Sequence, residues 1–406
     1  MKTLLLTNEY PPNIYGGAGV HVDYLSRELS RLHPVEVRCY GEQKIHSGNL
    51  EVHGVTADTS GYTCPASLKG VFASAQKDLS FVTRNIDADV VHCHTWYTHL
   101  GGIFAKLNYG IPLVLTVHSL EPLRPWKREQ LRGGYDFSCW VERTALDMAD
   151  AIIAVSSETR NDILKYFSVD PAKVKIIYNG IDPEEYQRMD PTPALRRHGI
   201  DPSRPYVLFV GRITRQKGIV YLVNAIRYMD PGFQVVLCAG APDTPEIAAE
   251  MKEAVESVRK ERNGIHWIDT HLDKESMIQL YSGAEVFCCP SIYEPFGIIN
   301  LEAMACETPV VAASVGGIPE VVVHDQTGYL VPLAQLQESP FTPIAPDHFS
   351  RDLAGQINRL MAHPERRKSF AAAGRARAVE TFSWSAIARQ TSGLYHQLVA
   401  NNHSSQ

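Results

Sequence analysis

Short runs of β-branched and apolar residues alternate with helical patterns along the chain, and this alternation restricts its fold more than any other feature. It is typical of doubly wound parallel sheets, in which a helix crosses back between neighbouring strands. The first series of runs is TLLLTN, VEVRCY, ADVVHCH, IPLVLTVH, ADAIIAVS and VKIIYNG. The second series is YVLFVGR, FQVVLCAG, IHWIDT, AEVFCCPS, TPVVAAS and TGYLVP. Each series predicts one Rossmann-like domain.

A segment rich in proline and charge, IDPEEYQRMDPTPALRRHGIDPSRP, separates the two series. It has no apolar periodicity, so we interpret it as the linker between domains. A chain of 406 residues is long enough for two domains of ordinary size. We therefore predict an N-terminal domain over 1–185 and a C-terminal domain over 186–382.

Charge and hydropathy narrow the class of partner. The chain has 39 basic and 45 acidic residues, a net charge of −6, and no basic stripe. Nucleic acid and membrane surfaces are therefore disfavoured as partners, and small molecules or neutral polymers are favoured. No apolar run approaches the roughly 18 residues of a membrane helix, and the strand-like start leaves no room for a signal peptide. We expect a cytoplasmic protein.

Cysteine and histidine spacing gives no metal signature. The eight cysteines form no C-x-x-C pair, which favours buried, reduced thiols. His92 and His94 could share one face of a strand, but a third ligand with recognisable spacing is missing. We interpret them as structural or substrate-contacting histidines and predict no metal.

A glycine-rich loop follows the first strand. In open α/β sheets, ligands bind beyond the carboxyl ends of the strands, so this loop is at the functional edge. Gly16 and Gly17 allow close approach of the backbone to a ligand, and the helix that follows offers free amides. The loop lacks the G-x-G-x-x-G order of a dinucleotide site, so a nicotinamide-dependent dehydrogenase is disfavoured.

Two cations follow the first strand of the second series. Arg212 and Lys217 lie in VGRITRQKG, between a strand and a helical pattern. A guanidinium and an ammonium at this position can neutralise the charge of a departing nucleoside diphosphate. The alternative is a pair of solvated surface charges.

The stretch EPFGIINLEAMA supplies the complementary groups. Gly297 would begin a helix whose free amides face an anion. Glu302 lies about 7 to 8 Å along that helix, within reach of a ribose. Glu294 precedes the helix and could accept hydrogen bonds from sugar hydroxyls. One carboxylate for each sugar of a sugar nucleotide explains the spacing, whereas capping and surface roles would leave the nearby cations unexplained.

These motifs together resemble a known family. The stretch from Glu294 to Glu302 is similar to the E-x7-E element of retaining GT-B glycosyltransferases, and Arg212 with Lys217 is similar to their phosphate clamp. NEYPPNIYGGAGVHV, HTWYTHLGG, TVHSLEPLRPWK and AMACETPVVAASVGGIPEVV resemble the glycosyltransferase family 4 branch of glycogen synthases and α-maltose-1-phosphate synthases. The resemblance implies two facing Rossmann-like domains with the active site in their cleft. It also implies a terminal helix, here 383–400, that completes the first domain.

The resemblance assigns roles to matching residues. The catalytic set would be His118, Arg212, Lys217 and Glu294, with His118 near the hydroxymethyl group of glucose. Donor-binding residues would be Gly16, Gly17, Gly211, Arg212, Lys217, Glu294, Phe296, Gly297, Ile298, Glu302, Gly316 and Gly317. Many bacterial starch and glycogen synthases carry Lys-x-Gly-Gly in the first loop, whereas Asn13, Ile14 and Tyr15 precede the glycines here. A lysine contact in that loop is therefore not expected.

The implied reaction is transfer of glucose from a nucleotide donor, ADP-glucose in preference to UDP-glucose, with retention and formation of an α-1,4 linkage. No metal cofactor is expected, because Arg212, Lys217 and the helix amides would stabilise the leaving group. The acceptor would be glucose-1-phosphate, an α-glucan or both. Aromatic and cationic residues after the His118 strand favour a phosphorylated sugar, and the predicted acceptor contacts are Tyr15, Arg124, Trp126, Lys127, Tyr135 and Arg143.

Other classes of function stay open. A polymer-extending glycogen synthase would use the same donor, and a GT-B sugar-nucleotide epimerase would share the clamp but need no acceptor. A non-catalytic glycan-binding protein would not need the clamp. The sequence leaves the oligomeric state open, a homodimer included.

Overall fold

The structure, a computed structural model, describes residues 1–14, 16–125, 127–128, 133–338 and 340–405. The chain forms two compact units. Unit 1 comprises Met1–Gly180 and Trp384–Gln406, and unit 2 comprises Ile181–Ser383. Unit 2 is therefore an insertion in the sequence of unit 1. The sequence placed the first boundary a few residues later, at 185.

Unit 1 contains a sheet of eight strands in the order β3-β4-β2-β1-β5-β6-β7-β8. All neighbouring strands are parallel except β3 and β4. The strands are β1 (Thr3–Thr7), β2 (Val35–Tyr40), β3 (Lys44–Ser47), β4 (Leu50–Val55), β5 (Val90–His94), β6 (Leu113–Val117), β7 (Ala151–Ala154) and β8 (Val174–Ile176). The central strands are buried throughout, because helices cover both faces of a parallel sheet.

The α-helices of unit 1 are α1 (Gly17–Ser30), α2 (Ala66–Thr83), α3 (His99–Tyr109), α4 (Gly133–Met148), α5 (Ser157–Tyr166) and α14 (Trp384–Ser405). The last of these follows unit 2 in the sequence and packs on α1. The ring of Trp384 stacks on Tyr24 at 5.7 Å. A Cβ atom on Gly180 would lie 2.5 Å from the Trp384 ring, so this position has no room for a side chain.

Unit 2 contains a parallel sheet of six strands in the order β11-β10-β9-β12-β13-β14. Its strands are β9 (Tyr206–Arg212), β10 (Gln234–Gly240), β11 (Ile265–Ile268), β12 (Val286–Cys289), β13 (Val310–Ala313) and β14 (Gly328–Val331). Its helices are α6 (Thr192–Arg197), α7 (Ile219–Ala225), α8 (Pro245–Glu261), α9 (Lys274–Gly283), α10 (Ile298–Ala305), α11 (Ile318–Val321), α12 (Pro346–Met361) and α13 (Pro364–Phe382).

Every strand-like run of the sequence contains a strand, so the prediction of two α/β domains with parallel sheets is confirmed. The interpretation of the charged segment as a linker is wrong. Residues 181–205 belong to unit 2, where Tyr186, Ala194 and Leu195 are buried. Its apolar residues are too sparse to produce a periodic pattern, and α6 holds only a few of them.

The cysteines are free thiols, and all except Cys64 and Cys139 are buried. No helix in the described parts of the chain combines the length and the apolar character needed to cross a membrane.

Candidate active site

The loop between β9 and α7 carries both predicted phosphate-binding cations. Arg212 is the last residue of β9, and Gly211 precedes it. The carbonyl of Gln216 accepts the N–H of Ile292 at 2.9 Å. Gly218 has a φ of +61°, and a Cβ there would lie 2.1 Å from the carbonyl oxygen of Pro290. The loop is therefore fixed against the segment after β12, which leads to Glu294.

Lys217 and Glu294 form a buried ion pair. The Nζ of Lys217 lies 2.6 Å from Oε2 of Glu294, and the hydroxyl of Ser291 donates to the same oxygen at 3.2 Å. Burial acts to lower the pKa of Lys217, but the Glu294 carboxylate outweighs it and the pKa is raised. The lysine is therefore a cation at neutral pH. The sequence predicts that Lys217 and Glu294 bind the same sugar nucleotide, and in the structure their side chains are in contact.

The backbone of Glu294 is held by the predicted donor loop at Gly316 and Gly317. The N–H of Gly317 donates to the Glu294 carbonyl at 2.9 Å. Gly316 has a φ of +54°, and a Cβ there would lie only 2.0 Å from that carbonyl oxygen. These glycines thus bring two loops into backbone contact, which no other residue type permits at Gly316 without a shift.

Helix α10 begins after Gly297, as predicted, and Gly297 has a left-handed conformation with a φ of +93°. Glu302 is on this helix and accepts hydrogen bonds from the hydroxyls of Tyr281 at 2.8 Å and Tyr186 at 3.2 Å. Burial raises the pKa of Glu302. The two tyrosines orient its carboxylate, and neither was identified from the sequence because both are distant from the motif along the chain.

Two further predicted donor residues differ in accessibility. The ring of Phe296 is buried and packs edge-on against Phe382 at 5.8 Å. Only the backbone of Phe296 could therefore contact the donor. Ile298, the first residue of α10, is partly exposed.

In unit 1, His118 follows β6 and belongs to a cluster of histidines. Its Nε2 lies 3.1 Å from Nδ1 of His94, the last residue of β5. His21 on α1 packs edge-on to His118 at 4.8 Å, and its Nδ1 lies 2.6 Å from Oδ1 of Asn179. In the neutral state one ring of the His94–His118 pair donates to the other, so the tautomers of the two rings are coupled. His21 was not singled out in the sequence.

The two histidines of β5 have different surroundings. His92 is fully buried between the hydroxyls of Tyr395 at 2.6 Å and Thr116 at 2.7 Å. This contact supports the structural interpretation of His92. The sequence spacing gave no third potential metal ligand near His94. In the structure, ring nitrogens of His21, His94 and His118 lie within 4.8 Å of one another. Such a group could also hold a metal ion.

We expect the stability of the protein to fall as the pH falls from about 6.5 to about 4. Burial lowers the pKa of His21 to about 4, that of His99 to about 3, and those of His92 and His94 well below the usual range. In this window the unfolded chain binds protons that the folded histidines exclude. Each histidine then costs about 1.4 kcal/mol of stability per pH unit.

Urea unfolding midpoints at pH 7, 6 and 5 measure this effect. His99→Leu should reduce the proton uptake on unfolding by about one, since it removes one such histidine. The exposed His348 offers a matched control, His348→Leu. A slope in His99→Leu equal to that of the unaltered chain would contradict the prediction.

The carboxylate of Glu9 contacts the glycine loop of unit 1. The N–H of Gly16 donates to Oε2 of Glu9 at 2.7 Å, and Gly17 is the first residue of α1. A Cβ on Gly19 would lie 2.8 Å from atoms of Glu9. Glu9 thus occupies the place beside the Gly16 amide where the sequence predicts a ligand. Tyr15 lies outside the described residues.

The predicted acceptor contacts divide into two groups. Lys127 and Tyr135 are buried, and both bind Glu121: the ammonium contacts Oε1 at 2.6 Å and the phenol donates to the carbonyl at 2.8 Å. Burial raises the pKa of the neighbouring Glu142 to about 8. Arg124 and Arg143 retain exposed surface, and Trp126 lies outside the described residues. An acceptor could reach Lys127 or Tyr135 only at the expense of these internal contacts.

Comparisons with known proteins find matches to parts of both units. The family profile described as Glycosyltransferase Family 4 matches residues 15–185, and that described as Glycosyl transferases group 1 matches residues 192–339. The alpha-maltose-1-phosphate synthase of Mycolicibacterium smegmatis is 47% identical over 407 residues, covering 98% of this chain and 100% of the relative. The glycogen synthase of Mycobacterium tuberculosis is 28% identical, covering 97% of this chain and 94% of the relative.

Solved structures show the same fold. The sucrose-phosphate synthase of Thermosynechococcus elongatus matches with a TM-score of 0.77 at 24% identity, covering 99% of this chain and 100% of that chain. The likeness confirms the GT-B fold expected from the resemblance.

Proposed function

The chain belongs to glycosyltransferase family 4, and on that premise we propose that it is a retaining α-1,4-glucosyltransferase of α-glucan synthesis. It transfers glucose from a nucleotide sugar, ADP-glucose in preference, to glucose-1-phosphate, giving maltose-1-phosphate. A glucan end is a second acceptor. The 47% identity to an alpha-maltose-1-phosphate synthase over its full length supports this choice of acceptor.

The observation that carries the donor half of the proposal is the buried Lys217–Glu294 pair beside Arg212 and the start of α10. Lys217 and Arg212 neutralise the diphosphate as it leaves, and the amides at the start of α10 add positive potential. Glu294 binds hydroxyls of the transferred glucose, and Glu302 binds the ribose.

The chemical step needs no protein nucleophile. The bond between C1 of glucose and the phosphate oxygen breaks, the 4-hydroxyl oxygen of the acceptor bonds to C1 on the same face, and the hydroxyl proton passes to the departing phosphate. Charge on the diphosphate grows as the bond breaks, so groups that bind this charge more strongly in the transition state raise kcat. His118, held by His94, contacts the hydroxymethyl group of the transferred glucose.

Competition between acceptors tests the proposal. ADP-glucose is supplied with glucose-1-phosphate or glycogen at equal concentrations of glucose units, and kcat/KM is measured for each. We expect the higher value with glucose-1-phosphate. A clear preference for glycogen would identify a polymer-extending synthase, as the 28% identity to a glycogen synthase allows. Release of a changed nucleotide sugar without any acceptor would instead identify an epimerase.

Two arginines of the acceptor segment that retain exposed surface allow a sharper form of this test. Arg124→Gln and Arg143→Gln should raise KM for glucose-1-phosphate but not for glycogen, because only the former carries a phosphate. Lys127 is unsuitable for this purpose, since its removal leaves Glu121 buried without its cation. Arg31→Gln, an exposed arginine that follows α1, is the matched control.

We expect turnover to persist in excess chelator, because the cations of unit 2 replace a divalent ion at the leaving group. The rate with ADP-glucose and glucose-1-phosphate is measured before and after extended dialysis against EDTA. Loss of activity that a divalent metal restores would contradict metal independence. If such a loss is found, the measurement is repeated on His21→Gln. A metal that still restores activity in this variant is bound with the donor, whereas one held by the histidine cluster no longer restores it.

A further inference from the structure

The loop after β10 lies against the phosphate-binding loop after β9. The N–H of Ile213 donates to the carbonyl of Gly240 at 2.9 Å, and the N–H of Asp243 donates to the carbonyl of Ile213 at 3.2 Å. The hydroxyl of Thr244 then accepts the N–H of Ile247 at 3.4 Å and caps α8. Asp243 is therefore held in place on both sides, immediately before a helix of 17 residues.

The side chain of Asp243 is directed at the predicted phosphate clamp. Its Oδ1 accepts a hydrogen bond from Nη1 of Arg212 at 3.1 Å. The two side chains are 19% and 31% exposed, respectively, so solvent and an anion can still reach the pair. Together with Lys217–Glu294, each cation of the clamp therefore has a carboxylate within contact distance.

The two carboxylates differ in what a donor would require of them. Glu294 is buried beside the expected sugar and is needed there. Asp243 instead contacts Arg212 at 3.1 Å, the side chain that is expected to bind phosphate. A diphosphate and Asp243 carry the same sign of charge and compete for one guanidinium.

We propose that Asp243 is an internal substitute for the donor diphosphate, which holds Arg212 between turnovers and lowers the affinity for nucleoside diphosphates so that product is released. The inference rests on the proposed function, because it takes Arg212 as the phosphate ligand. A carboxylate keeps the long arginine side chain ordered and offsets the charge of its guanidinium, so other anions bind weakly there.

Asp243→Asn tests the inference, because the amide keeps the shape and the acceptor oxygen but removes the charge. Binding of ADP and UDP is measured by calorimetry at low and high salt, with adenosine and uridine as references that lack phosphate. We expect ADP to bind roughly tenfold more tightly, with the gain reduced by salt, and adenosine to bind unchanged. Inhibition by ADP during turnover should strengthen by the same factor.

Two results would overturn the inference. Unchanged affinity for ADP would mean that the pair is an ordinary surface contact, and weakened affinity would mean that Asp243 orients Arg212 towards the phosphate. The gain should also disappear when Arg212→Gln is added to Asp243→Asn, since the competition is for that guanidinium. Thermal unfolding of each variant establishes that the fold is intact.

The neighbouring pair Arg215–Glu250 is a matched control. It joins the same loop to helix α8, which begins shortly after Asp243, at 3.6 Å, and both side chains are about half exposed. Glu250→Gln should leave ADP affinity unchanged, and an equal gain there would overturn a specific role for Asp243. If the unaltered protein binds neither ADP nor UDP better than the nucleosides, the proposed function itself fails.

Discussion

Lys217→Met is expected to lower kcat by roughly 100- to 1000-fold, with a much smaller effect on donor affinity. Methionine keeps an unbranched apolar side chain as far as Cε but removes the ammonium that contacts Glu294 at 2.6 Å. Because the charge of the leaving group is greatest in the transition state, its loss weakens that state more than the ground state. Steady-state kcat and direct binding of the nucleotide sugar measure the two effects separately.

The same substitution leaves Glu294 buried without its cation, which lowers the stability of the fold. Adding Glu294→Gln removes this unpaired charge, so the double variant should regain stability but not kcat. Lys252→Met, an exposed lysine of α8 paired with Glu256, is the control and should leave both quantities unchanged. A raised KM with unchanged kcat in Lys217→Met would assign the lysine to ground-state binding alone.

Gly316→Ala is expected to lower kcat/KM by roughly 100-fold, because a shift of about 1 Å in a positioning loop has an effect of this size. The added Cβ would lie 2.0 Å from the carbonyl oxygen of Glu294, so that backbone must move. Movement of Glu294 also displaces its contact with Lys217. Initial rates at varied donor concentration measure the loss.

A matched glycine separates strain from displacement. Gly199 has a φ of +65°, but a Cβ added there would meet nothing within 4 Å, so Gly199→Ala carries the backbone strain without the clash. Both variants should lose about 1 to 2 kcal/mol of stability from the left-handed conformation. Only Gly316→Ala should show the fall in kcat/KM, because only its Cβ displaces Glu294. An equal fall in Gly199→Ala would assign the effect to general destabilisation.

The strands were predictable where both faces are buried. Runs such as LLL in β1 and VLFV in β9 are continuous apolar segments, and parallel sheets covered by helices require them. The hairpin of β3 and β4 was not predicted, because the side chains of β3 are exposed and give no hydrophobic pattern. Edge strands depend on pairing with a neighbour, which a local pattern does not report.

Parts of the candidate site were predictable for a related reason. Arg212, Lys217, Glu294 and Glu302 are close to glycines at the ends of strands, and the loop rule of parallel sheets identifies them. Their partners Tyr186, Tyr281 and Asp243 come from other loops and helices, so only the folded chain reveals them. In the basic acceptor segment the sequence suggested a contact that the structure does not favour. Lys127 was predicted to bind the acceptor, but in the structure it is buried and paired with Glu121.

The insertion of unit 2 within unit 1 has a consequence for the order of folding during synthesis. Chains emerge from the ribosome from the N-terminus, and domains fold as units once their residues are available. Unit 2 is contiguous and can fold while α14 is still untranslated. Unit 1 must wait for Trp384 to cover Tyr24 and for Tyr395 to reach His92. Until then the nascent unit 1 exposes an apolar face on α1, and chaperones would be expected to bind there.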